Sequence, residues 1–146
     1  MATGTATYIL NYYNTHGSFY GAIITVIEGT LDDVYTIYHS PNITGLGNEA
    51  ITLTNTTGDV AKLNAVDALT SGITGSLNNN APAVIDASSL NTLSGSSEDL
   101  NLAFSSSGIT NLNTACILSD TTLSASTLNT LDSKTGGVVN ASSVTI

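Results

Sequence analysis

One stretch of this chain occurs twice, and that constrains the fold more than any other feature. Residues 28–57 read EGTLDDVYTIYHSPNITGLGNEAITLTNTT, and residues 94–123 read SGSSEDLNLAFSSSGITNLNTACILSDTTL. At a constant offset of 66, Gly29 meets Gly95, Asp33 meets Asp99, Ile43-Thr44 meets Ile109-Thr110, Leu46 meets Leu112, and Ile51 meets Ile117. A repeat of this length marks a supersecondary unit that buries its apolar face by stacking on its neighbours. The exchanges between the copies concern backbone shape. Gly45 stands against Asn111, Gly47 against Asn113, and Asn42 against Gly108. Gly and Asn are the residues that tolerate left-handed backbone best. The pattern therefore predicts that Asn42 and Gly108 end helices and that the other two pairs are turns leading into a strand.

Local signals fill in the unit. Thr30 with Asp33, and Ser96 with Asp99, are capping patterns in which Asp replaces the usual Glu. Val34, Ile37 and Tyr38, and then Leu100, Ala103 and Phe104, form the apolar stripe of a short helix. Before the first copy, residues 1–5 read as an arm and 6–15 as a helix closed by His16-Gly17. Residues 18–27 read as a strand rich in β-branched and aromatic side chains. Residues 49–54 alternate as a strand. Thr56 is expected to cap a helix over 59–69 with Leu63, Val66 and Leu69 inward, ending at Gly72. Residues 73–82 have no counterpart and read as a loop insertion. Residues 83–90 (AVIDASSL) and 138–146 (VVNASSVTI) resemble each other and read as strands. A strand over 116–119 and a helix capped by Ser124, with Leu128 and Leu131 inward and Gly136-Gly137 at its end, complete the series.

Strands thus begin near 18, 49, 84, 115 and 138. Strands joined by helical crossovers run parallel. The expected fold is one α/β repeat domain over 1–146. It is a solenoid of about five short helix–strand coils with a parallel sheet. Its geometry is similar to that of leucine-rich repeats, without their LxxLxL spacing.

Composition excludes several functions. The 146 residues carry a net charge of −9, and only 9% are charged. Lys62 and Lys134 are the only permanent cations, so there is no basic cluster to neutralise nucleic-acid phosphates or to meet an anionic membrane surface. No apolar run approaches the ~20 residues of a membrane span. The first residues lack the basic n-region of a signal peptide. Apolar residues make up 41%, unlike a disordered chain. Cys116 is alone and reads as a small buried hydrophobe rather than a nucleophile.

Aromatic residues are uneven. All six tyrosines and Phe19 precede residue 40, and Phe104 alone follows. Residues 1–40 therefore read either as a capping coil, where tyrosine covers apolar surface with a wet tip, or as an aromatic contact surface.

ITGLGNEAITLT (43–54), STLNTLDSKTGGVVNASSV (126–144) and GTLDDV (29–34) resemble a repeat found in large, acidic, Lys-poor proteins of cyanobacteria and other aquatic bacteria. The resemblance covers most of the chain from Gly17 onward. It implies a secreted or surface-associated setting and names no catalytic residues. It also leaves room for a small relative that is a bacteriophage virion component.

No motif argues for chemistry. GLGNEA (45–50) fits G-x-G-x-x-A, but a helix precedes it and a strand follows, the reverse of a dinucleotide site. The acidic pairs Asp32-Asp33 and Glu98-Asp99 suit helix starts better than calcium, which needs six or more converging oxygens. His16 and His39 lie far apart in sequence, and no G-x-S-x-G occurs.

We therefore expect no catalytic residues, no cofactor and no metal. The expected function is that of a non-enzymatic structural subunit of an exterior assembly, partnered by other protein subunits in a homo-oligomer or larger array. The candidate interface residues are Tyr8, Tyr12, Tyr13, Phe19, Tyr20, Tyr35, Val138, Val139, Val144 and Ile146. The last four lie in a final strand whose edge and apolar face invite a partner. The alternative is a carbohydrate- or surface-binding module with Tyr12, Tyr13, Tyr20 and Tyr35 as a stacking platform.

Overall fold

A computed structural model describes residues 2–21, 24–47, 49–70 and 83–146. The expected insertion at 73–82 and the helix end at Gly72 lie outside these residues. Among those described, five helices form: α1 (Ala6–His16), α2 (Leu31–His39), α3 (Val60–Thr70), α4 (Ser97–Ser105) and α5 (Ala125–Asp132). Each helix packs on the next in chain order. The strands are β1 (Ala2–Thr5), β2 (Phe19–Tyr20), β3 (Ile24–Gly29), β4 (Ile43–Thr44), β5 (Ala50–Leu53), β6 (Thr57–Asp59), β7 (Ile85–Asp86), β8 (Thr92–Gly95), β9 (Ile109–Thr110), β10 (Ala115–Leu118) and β11 (Val139–Asn140). They form three parallel sheets, ordered β1-β3-β5-β7-β9, β6-β8-β10-β11 and β2-β4, where a single sheet was expected. The described residues thus form an α/β protein with parallel sheets and five helices. No helix among the described residues is long and apolar enough to cross a membrane.

The pairing has a regular interval. Phe19 lies beside Ile43, Ile85 beside Ile109, and Cys116 beside Val139, each pair 23 or 24 residues apart. Ile51 beside Ile85 and Thr57 beside Thr92 are the wider pairs, at 34 and 35, and they span residues 71–82. Inward residues line up across the strands: Ile27, Ile51 and Ile85 form one buried row. Val34, Leu63, Leu100 and Leu131 on the helices are fully buried in the same core cluster.

The helix starts follow from capping chemistry. Thr5, Thr30, Ser96 and Ser124 sit in extended backbone and accept the amide of the third helical residue. Such a cap contributes about 1 kcal/mol. A second layer comes from the following strand. Asn55 Oδ1 accepts the Leu31 amide at 2.9 Å, and Asp120 Oδ2 accepts the Ser97 amide at 2.7 Å. These bonds satisfy first-turn donors that a helix leaves open and tie α2 and α4 to the next crossover.

Several expectations are corrected. Residues 2–5 are no arm. They form an edge strand in parallel register with β3. The strand expected over 18–27 is divided into β2 and β3 around Gly21, which has no room for a Cβ against Leu46. The Thr56 cap is replaced by Asp59, whose Oδ1 accepts from Ala61 N at 2.8 Å. Leu69 is exposed and Thr70 takes the buried place.

The strands expected over 83–90 and 138–146 are two residues each, followed by the same turn. Asp86 Oδ1 accepts from Ser88 N and Asn140 Oδ1 from Ser142 N. The Ala87 and Ala141 carbonyls then accept from Leu90 and Val144. This is the local competition of Asp and Asn with the ladder. Asn42 and Gly108 do not adopt left-handed backbone. Among the described residues Gly45 (φ 77°) and Asn111 (φ 58°) do, so that one exchange is conformational. At Gly108 a Cβ would instead meet the Asp67 carboxylate.

The repeat frame also shifts. Gly29 pairs with Leu53 and Gly95 with Leu118, so the offset falls from 66 to 65 within the turn before β5 and β10. Cys116, not Ile117, occupies the place of Ile51. Cys116 is fully buried and Ile117 is 45% exposed. A one-residue slip sends every strand side chain to the other face.

Candidate functional site

The expected interface residues fall into two separate groups, one at α1–α2 and one around β11, at opposite ends of the helix row. On α1, Tyr8 is 58% exposed, and its ring lies 6.3 Å from that of Tyr12. The Tyr12 ring meets Phe19 edge-on at 5.6 Å. Tyr20, on the short β2, is 73% exposed. Tyr13, Phe19 and Tyr35 are half-buried and pack against the core. In the second group Val138 and Ile146 are exposed, whereas Val139 and Val144 are half-buried against the core. Ile117, which the sequence only aligned with Ile51, joins the exposed set.

Both histidines are tied to their own helix. The His16 ring stacks on Tyr12 at 4.1 Å, and its Nδ1 donates to the Tyr12 carbonyl at 3.0 Å. His39 repeats this on Tyr35, at 3.9 Å and 2.9 Å. The two Tyr-x-x-x-His pairs stand 23 residues apart on neighbouring helices. Each imidazole also takes one face of a tyrosine that the stacking-platform reading needed.

A surface groove of about 240 Å³ runs between α2, α3 and β6, lined by Asp32, Asn55, Asp59, Lys62 and Ser94 among others. Lys62 Nζ contacts Asp32 Oδ1 at 2.6 Å and stands over the Tyr35 ring at 5.7 Å. Its bond to Asp32 raises its pKa above the ordinary lysine value despite some desolvation. Asp59 caps α3. Asp33 and Asp99 lie at helix starts as expected: their amides donate to Thr30 and Ser96, and the Ser96 hydroxyl donates to Asp99 Oδ2 at 2.7 Å. Among the described residues no group of three His, Cys, Asp or Glu converges to hold a metal.

One polar pair was missed. Glu49 is fully buried, and its Oε2 accepts from the Tyr38 hydroxyl and the Gly47 amide, both at 2.7 Å. Burial, then the charge of Glu49, then the bond to it hold the Tyr38 phenol well above its ordinary range. In the second copy Phe104 stands at the place of Tyr38 and Thr114 at that of Glu49. Donor and acceptor are therefore exchanged together. The frame of 66 hid this by setting Glu49 against Ala115. The pair clamps the turn carrying Gly45 and Gly47 onto α2. That turn leads into β5, not into the helix a dinucleotide fingerprint requires.

No family model, curated protein or solved structure matches this chain.

Proposed function

We propose that the protein is a non-enzymatic structural subunit: an α/β solenoid of about five coils that packs with other protein surfaces in an exterior assembly. A virion decoration or fibre part, or a bacterial surface layer or filament, is the setting that fits an acidic, lysine-poor repeat chain. The observation that carries the reading is the stacking interval. Parallel partners recur 22 to 24 residues apart outside the one long circuit, and consecutive helices pack in a row. Such an array is built from nearest-neighbour contacts and presents extended surfaces. Thr30, Asp59, Ser96 and Ser124 are used in helix caps, and Tyr38 with Glu49 in a clamp. Exposed apolar side chains lie at both ends of the helix row.

Static light scattering over a concentration series tests the reading. Mass rising above that of one 14.9 kDa chain is expected. A single monomeric mass at the highest concentration would contradict it.

Carbohydrate binding is the second reading, and the exposure of the Tyr8 and Tyr20 rings favours it. Glycan-array binding that is lost in Tyr20→Ala would support it.

A further inference from the structure

The second sheet has an inner and an outer face. Gly58, Leu93, Cys116 and Val139 lie side by side on the inner one, with Leu93 and Cys116 fully buried. The alternate residues Asp59, Ser94, Ile117 and Asn140 form an outer row. Beside them lie Thr92 and Ala115, and then Val138, whose carbonyl accepts the Cys116 amide at 2.8 Å. Ile117 is 45% and Val138 73% exposed. Among the described residues no ionisable side chain lies on the β10–β11 part of this face. The one carboxylate in its rows is Asp59 on β6, two strands away, which is about 10 Å.

Among the described residues the α1–β2 surface also carries no carboxylate, but its exposed rings, Tyr8, Tyr12 and Tyr20, end in polar hydroxyls; the first sheet and the later helices are acidic. The outer row of the first sheet runs Thr5, Glu28, Thr52, Asp86 and Thr110, with two carboxylates. The exposed helix surface carries Asp32, Glu98 and Asp132. In a chain of net charge −9, two copies can meet without opposing like charges only through a neutral patch.

We propose that the face centred on Ile117 and Val138 joins two copies of this chain about a two-fold axis. This rests on the assembly reading above and names its surface. A two-fold axis running along the strands beside Ile117 makes the contact self-complementary. It also places the two Asp59 carboxylates at opposite ends, about 20 Å apart by strand spacing and beyond a Debye length of about 8 Å. The exposed apolar contact is centred on two side chains, against the roughly 20–30 residues a side of a standard interface, so the dimer is weak and concentration-dependent. Because the contact is uncharged while the chains repel, added salt strengthens it.

Sedimentation equilibrium of the wild type, Ile117→Asp and Val138→Asp at two salt concentrations tests the proposal. Circular dichroism melts check that these exposed substitutions leave the fold intact. The expected result is wild-type dimerisation strengthened by salt, with each aspartate weakening it about a hundredfold or more through like-charge opposition. Assembly of the wild type that both variants retain, or that salt weakens, overturns this surface and leaves the assembly reading standing. A wild type that stays monomeric overturns both.

Discussion

Replacing Tyr38 by Phe removes one hydroxyl and leaves the Glu49 carboxylate buried with the Gly47 amide as its remaining partner for Oε2. Hydrogen bonds to charged groups contribute about 1.5–3 kcal/mol, and a buried acceptor left unpaired costs its desolvation. Tyr38→Phe should therefore destabilise by about 2 kcal/mol. In a chain of this size that lowers Tm by roughly 4–8 °C. Glu49→Thr alone strands the Tyr38 hydroxyl and opens a void, so it should cost at least as much. The double variant recreates the Phe104/Thr114 arrangement that the second copy already uses. Its void is the same as in the single Glu49 variant and cancels in the cycle. The double variant should thus be less destabilised than the sum of the singles by about 1.5–3 kcal/mol. Urea unfolding of the four proteins measures this directly. Additivity within about 0.5 kcal/mol would refute the idea that hydroxyl and carboxylate were exchanged as a unit.

Three further outcomes follow from the same geometry. Tyr38 binds its proton more tightly folded than unfolded, so its contribution is complete below the unfolded tyrosine value of about 10 and is lost as pH rises above it, at about 1.4 kcal/mol per unit; thermal melts above pH 10 should show this slope reduced in Tyr38→Phe, and identical slopes would contradict it. Thr30→Ala and Ser96→Ala each lose a cap to the third helical amide and should cost about 1 kcal/mol apiece, read by urea midpoint, whereas no change would mean that Asn55 and Asp120 alone hold these helix starts. The Cys116 thiol is buried and its pKa raised by desolvation, so a disulfide reagent should modify it only on unfolding, while rapid labelling of the native chain would show that the 65-residue frame is wrong.

The helices were legible because their signals are local. Thr30 or Ser96 with an acid three residues on, and apolar side chains at i, i+3 and i+4, identify α2 and α4 without reference to anything distant. The strands were less so. β4, β7, β9 and β11 have two residues each, too few for alternation to register, and their ladder partners are mostly 23 or 24 residues away. The two A-S-S segments looked like strands because Val and Ile precede them. Asp86 and Asn140 then turn the chain by capturing an amide two residues on. The frame shift was hidden by coincidence: Ile51 and Ile117 match in type, yet one is buried and the other exposed. That single mismatch concealed both the Tyr38–Glu49 pair and the apolar outer face. The tyrosine group was visible from composition, but its stacking on His16 and His39 depends on helical spacing and ring orientation.

The central claim is that this chain acts through its surfaces. Hydroxyl-radical footprinting at low and high protein concentration tests it most directly, because it reads side-chain exposure residue by residue. Ile117 and Val138 should lose reactivity as concentration rises, while exposed Leu102, on the helix side, keeps its own. An identical footprint at every concentration would contradict the account.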